Sequence, residues 1–226
     1  MTLTISAVEG LPELREGDDL ARMIAERADL LDGDVLVVAQ KAISKIEGRI
    51  VRLDGRKKVD VILGEAKSVV RRRNDLIIAE TKHGFVCASA GVDASNAPEP
   101  GTLVLLPVDP DASATRLRDR LGELIDRELG VVVSDSFGRP FRQGTTDVAI
   151  GAAGVEVLRD LKGERDPAGY ELRSTVIAIA DEIAGAAQLV MGKLDRTPVA
   201  IVRGLDVPGD GNARDIVMPA ERNLFP

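Results

Sequence analysis

Two runs of consecutive apolar residues, Val35-Leu36-Val37-Val38-Ala39 and Val131-Val132-Val133, show no polar alternation. Strands of that kind are buried on both faces. Around them the pattern predicts further strands over residues 2–8, 50–53, 75–80, 85–89, 103–106 and 198–203. Apolar positions at helical spacing, Leu20, Met23, Ile24 and Ala28, follow Asp18-Asp19, a pair suited to capping. A second helix is expected over 60–73, ending in Arg71-Arg72-Arg73, where the helix dipole favours cations. A third runs near 113–129 with Ser113 as its cap and places its alternating charges on a solvent face. A fourth covers 174–193, apolar through Ile177, Ile179, Ile183, Ala187 and Val190, and ends at Gly192. Strands and helices do not alternate regularly, which predicts an α+β fold with mixed sheets and flanking helices. No repeat or low-complexity linker divides the chain, so residues 1–226 read as one domain.

The chemistry gathers where the apolar runs stop. Val131-Val132-Val133 leads into Ser134-Asp135-Ser136-Phe137-Gly138-Arg139-Pro140-Phe141-Arg142, and the strand is expected to end in Ser134-Asp135-Ser136. A carboxylate between two hydroxyls suits a hard divalent cation or a phosphate. Gly138 is expected to turn the chain close to a ligand, and Arg139 and Arg142 bring fixed positive charge. A plain strand followed by a polar turn accounts for the same residues.

A stretch of the same type lies upstream. In Ala90-Gly91-Val92-Asp93-Ala94-Ser95-Asn96, small residues approach one carboxylate, and Asp93 has no obvious local partner. If the fold brings Asp93 and Asp135 together, they form an oxygen-rich site for Mg²⁺ or Mn²⁺. Spacing alone leaves that meeting open. Lys41 and Lys45, four apart behind the first apolar run, either meet phosphate oxygens as point charges or form a solvated face. With Arg139 and Arg142 they describe metal-assisted nucleotide chemistry without a P-loop, since GxxxxGK[ST] does not occur. The glycine-rich run 144–154 suits close backbone packing or a subunit contact.

Composition narrows the partners. The net charge is −7, so the chain does not track a phosphate polymer by bulk field. Aromatic residues are 2%, too few for the stacking platforms that bind single-stranded nucleic acid. The one cysteine, Cys87, excludes an internal disulfide and fits a reducing compartment. Its neighbours Phe85, Val86 and Ala88 favour a buried small hydrophobe over a nucleophile. The one histidine, His83, rules out histidine-based zinc sites and argues against a Ser-His-Asp triad. No apolar run approaches the roughly 18 residues of a spanning helix, so a cytoplasmic protein with no membrane partner is expected.

These residues resemble the coenzyme F420-0:L-glutamate ligase family nearly end to end. The resemblance rests on Val8-Glu9-Gly10-Leu11-Pro12, Gly17-Asp18-Asp19-Leu20 and Gly33-Asp34-Val35-Leu36-Val37-Val38. It continues through Ile43-Ser44-Lys45-Ile46-Glu47-Gly48-Arg49, the Asp93 stretch and Ser134-Asp135-Ser136-Phe137-Gly138-Arg139. It closes with Ala180-Asp181-Glu182-Ile183-Ala184, Met191-Gly192 and Val202-Arg203-Gly204-Leu205. Each motif is weak alone; their joint order and spacing are specific.

The resemblance implies an intertwined homodimer that uses GTP, with two Mg²⁺ or Mn²⁺ ions per site and K⁺ as a further ion. It implies nucleotide contacts at Leu11, Pro12, Glu13, Leu14, Gln40, Lys41, Lys45, Asn96, Met191, Gly192 and Lys193. It places a first metal on Asp93 and Asp135 and a second near Ser136. The implied reaction adds L-glutamate to coenzyme F420-0 through an acyl phosphate, releasing GDP and phosphate. No side-chain nucleophile is needed, and Lys45 and Arg139 stand as candidate transition-state stabilisers. The alternatives are a ligase of the same fold acting on a different carboxylic acid, and a GTP- or metal-binding module without chemistry.

The chain departs from the resemblance at Lys193, where archaeal members carry an acidic or amide side chain after Met-Gly. That puts the second metal's ligand in doubt and offers a cation for a phosphate instead. The segment around 54–75 is also shorter than in archaeal members. Some actinobacterial members carry a flavin nitroreductase-like domain after this one, so a stand-alone ligase or an excised ligase domain is expected.

Overall fold

The computed structural model describes residues 2–224. Its elements in chain order are β1 (Thr4–Ala7), α1 (Leu20–Ala25), β2 (Val35–Ala39), α2 (Gln40–Ile46), β3 (Ile50–Arg52), α3 (Lys58–Glu65), β4 (Ala66–Arg73), β5 (Leu76–Thr81) and β6 (Val86–Ala88). They continue with β7 (Thr102–Val104), α4 (Pro110–Ile125), β8 (Gly130–Arg139), β9 (Arg142–Ala153), β10 (Arg159–Asp160), β11 (Val176–Ile177), α5 (Ile179–Met191) and β12 (Val199–Arg203).

The two apolar runs lie side by side. A five-stranded sheet has the order β1-β12-β2-β8-β9. β2 and β8 pair in parallel, with Val37 opposite Val132, while β12 joins β2 antiparallel and β9 joins β8 antiparallel. The sheet is therefore mixed and the fold α+β, as the irregular element order predicts. Consecutive residues Leu36, Val37, Val38 and Val131, Val132, Val133 are all fully buried, so both faces of the central pair are covered. α4 packs on β8, β9 and α1, and α5 lies against β9, β1 and β12. A smaller apolar cluster of Ile62, Ile77, Ala79, Ala90, Val92, Leu103 and Leu105 supports the three-stranded sheet β4-β5-β6 and the pair β3-β7.

Four local expectations are corrected. The helix expected over 60–73 stops at Glu65, and β4 takes over at Ala66. Arg73 pairs with Leu76, which leaves Asn74 and Asp75 as a two-residue turn, and Asn74 takes φ 54°. A hairpin turn of that kind fixes antiparallel pairing and overrides the helical spacing upstream. The arginine triplet sits on an exposed strand, away from any helix end.

α4 starts before Ser113. Asp109 accepts from Ala112 N at 3.1 Å, and Pro110 takes the first helical position, where its missing N–H costs nothing. The charges of α4 are not a bare solvent face either. Arg120 meets Asp19 at 3.1 Å, Arg116 meets Glu47 at 2.6 Å, and Arg118 donates to Leu129 O at 2.8 Å. The fourth helix begins at Ile179, because β11 before it pairs with β10.

The fourth correction concerns β8. The strand does not end in Ser134-Asp135-Ser136; it runs on to Arg139, held by β9 through Gly138 opposite Thr145. Backbone pairing satisfies the ladder even where the side chains have become polar. The reversal falls at Pro140-Phe141, with Phe141 at φ 60°, and not at Gly138. The glycine-rich run serves close packing within the chain: a Cβ on Gly151 would stand 2.3 Å from Pro110 O.

One ion pair closes the far end of the sheet. Asp34 is fully buried and accepts from Arg203 Nε at 2.8 Å, Arg203 Nη2 at 2.7 Å and Leu31 N at 2.8 Å. Arg203→Leu leaves that carboxylate buried without its cation. The expected cost is about 3 kcal/mol, read as a lower urea midpoint at unchanged slope.

Candidate functional site

β2 and β8 end their parallel pairing at Ala39 opposite Ser134. The C-terminal ends of parallel strands are where open sheets admit ligands. Here the chain after β2 enters α2 at once, while β8 continues as a hairpin. The register of β8 against β9 shifts between Val133 and Ser134. Such an irregularity re-aims side chains, and it lies where the polar residues begin.

A cleft of about 860 Å³ opens at this edge. Its walls include Leu11–Leu14 from the β1–α1 loop, Gln40, Lys41 and Lys45 from α2, Asn96 from the loop before β7, and Met191, Gly192 and Lys193 from the end of α5. These are the positions to which the resemblance assigns nucleotide contact. Asp135, Ser136, Ser134 and Asp147 line the same cleft. A volume of this size suits a drug- or nucleotide-sized ligand.

Lys41 pairs with Asp93 and acts on Asp135 only through its charge. Its Nζ lies 2.5 Å from Asp93 Oδ2 and 2.6 Å from Ser95 Oγ. Asp93 is placed by a backbone bridge to Val104, with bonds of 3.0 and 2.8 Å. Burial pushes its carboxyl up, but the Lys41 ammonium and the Ser95 hydroxyl and N–H together hold it down at about 2. Asp135 behaves in the opposite way. Burial pushes it up to about 7, with the Asp147 charge adding; the Ser136 N–H and the Lys41 and Lys193 charges only partly offset this. Asp135 also raises Cys87, whose thiol burial has already driven up, to about 12. Cys87 is buried and protonated, a small hydrophobe and no nucleophile.

A second group faces Asp135 from β9 and α5. Asp147 is buried and accepts from Ser136 Oγ in a short contact and from Ser134 Oγ at 3.2 Å. Lys193 Nζ touches Ser136 Oγ. Gly192 makes this approach: it ends α5 at φ 60°, a conformation that glycine adopts freely, and turns the chain across the cleft. Asp147, missed in the sequence, is found once the hairpin register is known, since it stands opposite Ser136.

Lys45 is buried, with its Nζ in short contact with Glu13 Oε1, so the solvated-face alternative does not hold for it. Gln40 is buried beside Ser44, 2.9 Å from its hydroxyl. The structure does not bring Arg139 into the cleft. Its guanidinium donates to Gln143 O at 2.9 Å near the exposed tip of the β8–β9 hairpin, and Arg142 is exposed there as well.

The donor chemistry suits one hard cation at Asp135. Its carboxylate is desolvated, and Lys41 and Lys193 act on it only through their charge, so a divalent ion would supply the missing counter-charge. Among the described residues no group of three or more His, Cys, Asp or Glu side chains is placed to hold a metal. Hydroxyls, water and ligand phosphates would complete the shell, as is usual for Mg²⁺.

Comparison with known proteins gives the family. The model of the family F420-0:Gamma-glutamyl ligase matches residues 10–204. A protein of Methanopyrus kandleri called coenzyme F420:L-glutamate ligase is 47% identical, over 99% of this chain and 98% of its own length. Proteins of the same name are 41% identical in Methanothermobacter thermautotrophicus, over 100% of this chain and 99% of theirs, and 43% identical in Archaeoglobus fulgidus, over 100% and 97%.

Proposed function

The chain belongs to the F420-0:gamma-glutamyl ligase family, and from that premise we propose that it is a GTP-dependent amide ligase joining L-glutamate to coenzyme F420-0. The observation that carries this is the cleft itself. Cations from α2 and α5 and the carboxylates of β8 and β9 meet around a space of nucleotide size.

The terminal carboxylate of F420-0 attacks the γ-phosphate of GTP; a new O–P bond forms and the bond to GDP breaks. The amine of L-glutamate then attacks the acyl phosphate, loses a proton and displaces phosphate. Lys41, Lys45 and Lys193 would hold the phosphate oxygens and balance charge as it moves to the leaving group. Asp135, with Asp93, would hold the Mg²⁺ or Mn²⁺, which would neutralise the phosphates when bound. Lys41 covers Asp93 Oδ2 in this structure, and Asp93 would be free to serve the metal if Lys41 moved to the nucleotide.

The proposal includes a homodimer and a cytoplasmic setting. No helix among the described residues is long and apolar enough to cross a membrane. The faces a second copy would cover are the exposed edge strand β4 and the arm of β8–β9, where Phe141 is 94% exposed. A partner's arm is also what would carry Arg139 towards a site.

Phosphate release is the test. Turnover of GTP only when F420-0 and L-glutamate are both present, with a product heavier by one glutamyl group, is the expected result. GTP binding without turnover would leave a binding module. Turnover with another acid in place of F420-0 would leave a ligase of different substrate.

A further inference from the structure

The geometry points to Lys193 as a built-in cation: its ammonium fills the position at Ser136 and Asp147, so the loaded cleft holds one divalent ion, at Asp135, and not two. This rests on the nucleotide-ligase reading above and concerns how that site is charged.

Four contacts define the position. Asp147 is buried, and both its carboxylate oxygens are taken by hydroxyls, Oδ1 by Ser136 and Oδ2 by Ser134 at 3.2 Å. Its backbone N–H is held by Gln188 Oε1 at 3.2 Å, from the same helix that delivers Lys193. Ser136 gives its one proton to Asp147 and accepts from the Lys193 ammonium. The chain of contacts therefore runs from ammonium through hydroxyl to carboxylate, and the buried charge of Asp147 is balanced without a metal.

A divalent ion at Ser136 needs an electron pair of that hydroxyl oxygen, the side that now faces the ammonium. It would have to expel Lys193 or stand beside it, and two cations in a half-buried site repel each other. Both Asp147 oxygens are already engaged by hydroxyls, and Asp135 is committed to the first ion, so no carboxylate is left for a second. Lysine is suited to the alternative. Its ammonium has three donors; one serves Ser136, and two remain for phosphate oxygens in the cleft that Lys193 itself lines.

The experiment counts Mn²⁺ ions directly. Wild-type protein and Lys193→Gln are saturated with a non-hydrolysable GTP analogue and titrated with Mn²⁺, followed by electron paramagnetic resonance. One Mn²⁺ per chain is expected for the wild type, with an unbroadened spectrum. Lys193→Gln is expected to take a second ion, seen as a doubled stoichiometry and dipolar broadening between close Mn²⁺ centres. Two ions in the wild type, or no gain in a folded Lys193→Gln, would overturn the assignment. The wild-type count stands whether or not the variant folds. Absence of any Mn²⁺-dependent binding of the analogue is a different failure, that of the nucleotide-ligase reading itself.

Discussion

Asp135→Asn is expected to lower kcat/KM for GTP-dependent glutamylation on the order of 10³-fold, even in saturating Mn²⁺. The amide keeps the shape of the side chain and removes the charge that a hard cation needs. The same change is expected to stabilise the metal-free protein at neutral and alkaline pH. In the folded chain Asp135 ionises only near 7, against an ordinary value of 3.8. The unfolded chain therefore loses this proton first. Stability from this group is full below pH 3.8, falls as pH rises towards 7, and stays low above it. Each pH unit in that window is worth about 1.4 kcal/mol; with the cleft open to water, roughly 2 kcal/mol of the difference is expected to appear. Thermal melts without metal should place the variant above the wild type at pH 8 and level with it near pH 4. Mn²⁺ with nucleotide should raise the wild-type Tm and leave the variant unmoved. Wild-type activity in Asp135→Asn would remove Asp135 from the metal site.

That a carboxylate is both costly to the fold and central to the site explains what the sequence could reveal. Val35–Ala39 and 131–133 were readable as a buried pair because continuous β-branched runs leave no polar face to expose. Asp93 and Asp135 were readable as candidates because each follows such a run or a small-residue approach. The cation that pairs with Asp93 was not. Lys41 reaches Asp93 across 52 positions of chain, and no local pattern encodes that meeting. α2 escaped notice because seven residues give too short a period to detect.

β4 misled for a physical reason. Its apolar spacing fits a helix, yet the turn at Asn74-Asp75 closes a hairpin, and the pairing partner decides the outcome. Asp147 was hidden by the same kind of error. With a strand expected to end in Ser134-Asp135-Ser136, nothing in the sequence places position 147 opposite position 136. The turn at 140–141, not the residues themselves, carries that information. Arg139 shows the converse case. Its sequence context matches the family, while its side chain lies outside the cleft of its own chain. Motif order identifies a family; it does not show which member of the motif reaches the ligand.

Lys45→Met carries the second large expectation, a loss of about 10²–10³-fold in kcat/KM. Lys45 is the cation most deeply set in the cleft wall, only 10% exposed along its side chain. A charge held there works in a drier medium than Lys41 or Lys193 and is already fixed before phosphate oxygens arrive, so little reorganisation accompanies the reaction. Methionine keeps the apolar stem packed, and the melting temperature should stay within a few degrees of the wild type. Glu13 supplies the control. Its carboxylate is 60% exposed and meets Lys45 from the loop before α1; an exposed partner of that kind contributes about 0–1 kcal/mol. Glu13→Gln should then change kcat/KM by less than about tenfold, and in the direction of a freer ammonium. If Lys45 served only to anchor that loop, the two substitutions would cost the same. A matched loss in both would therefore reassign Lys45 from phosphate to scaffold, whereas a gap of an order of magnitude or more, with nucleotide affinity falling in Lys45→Met alone, places its charge on the reacting phosphate.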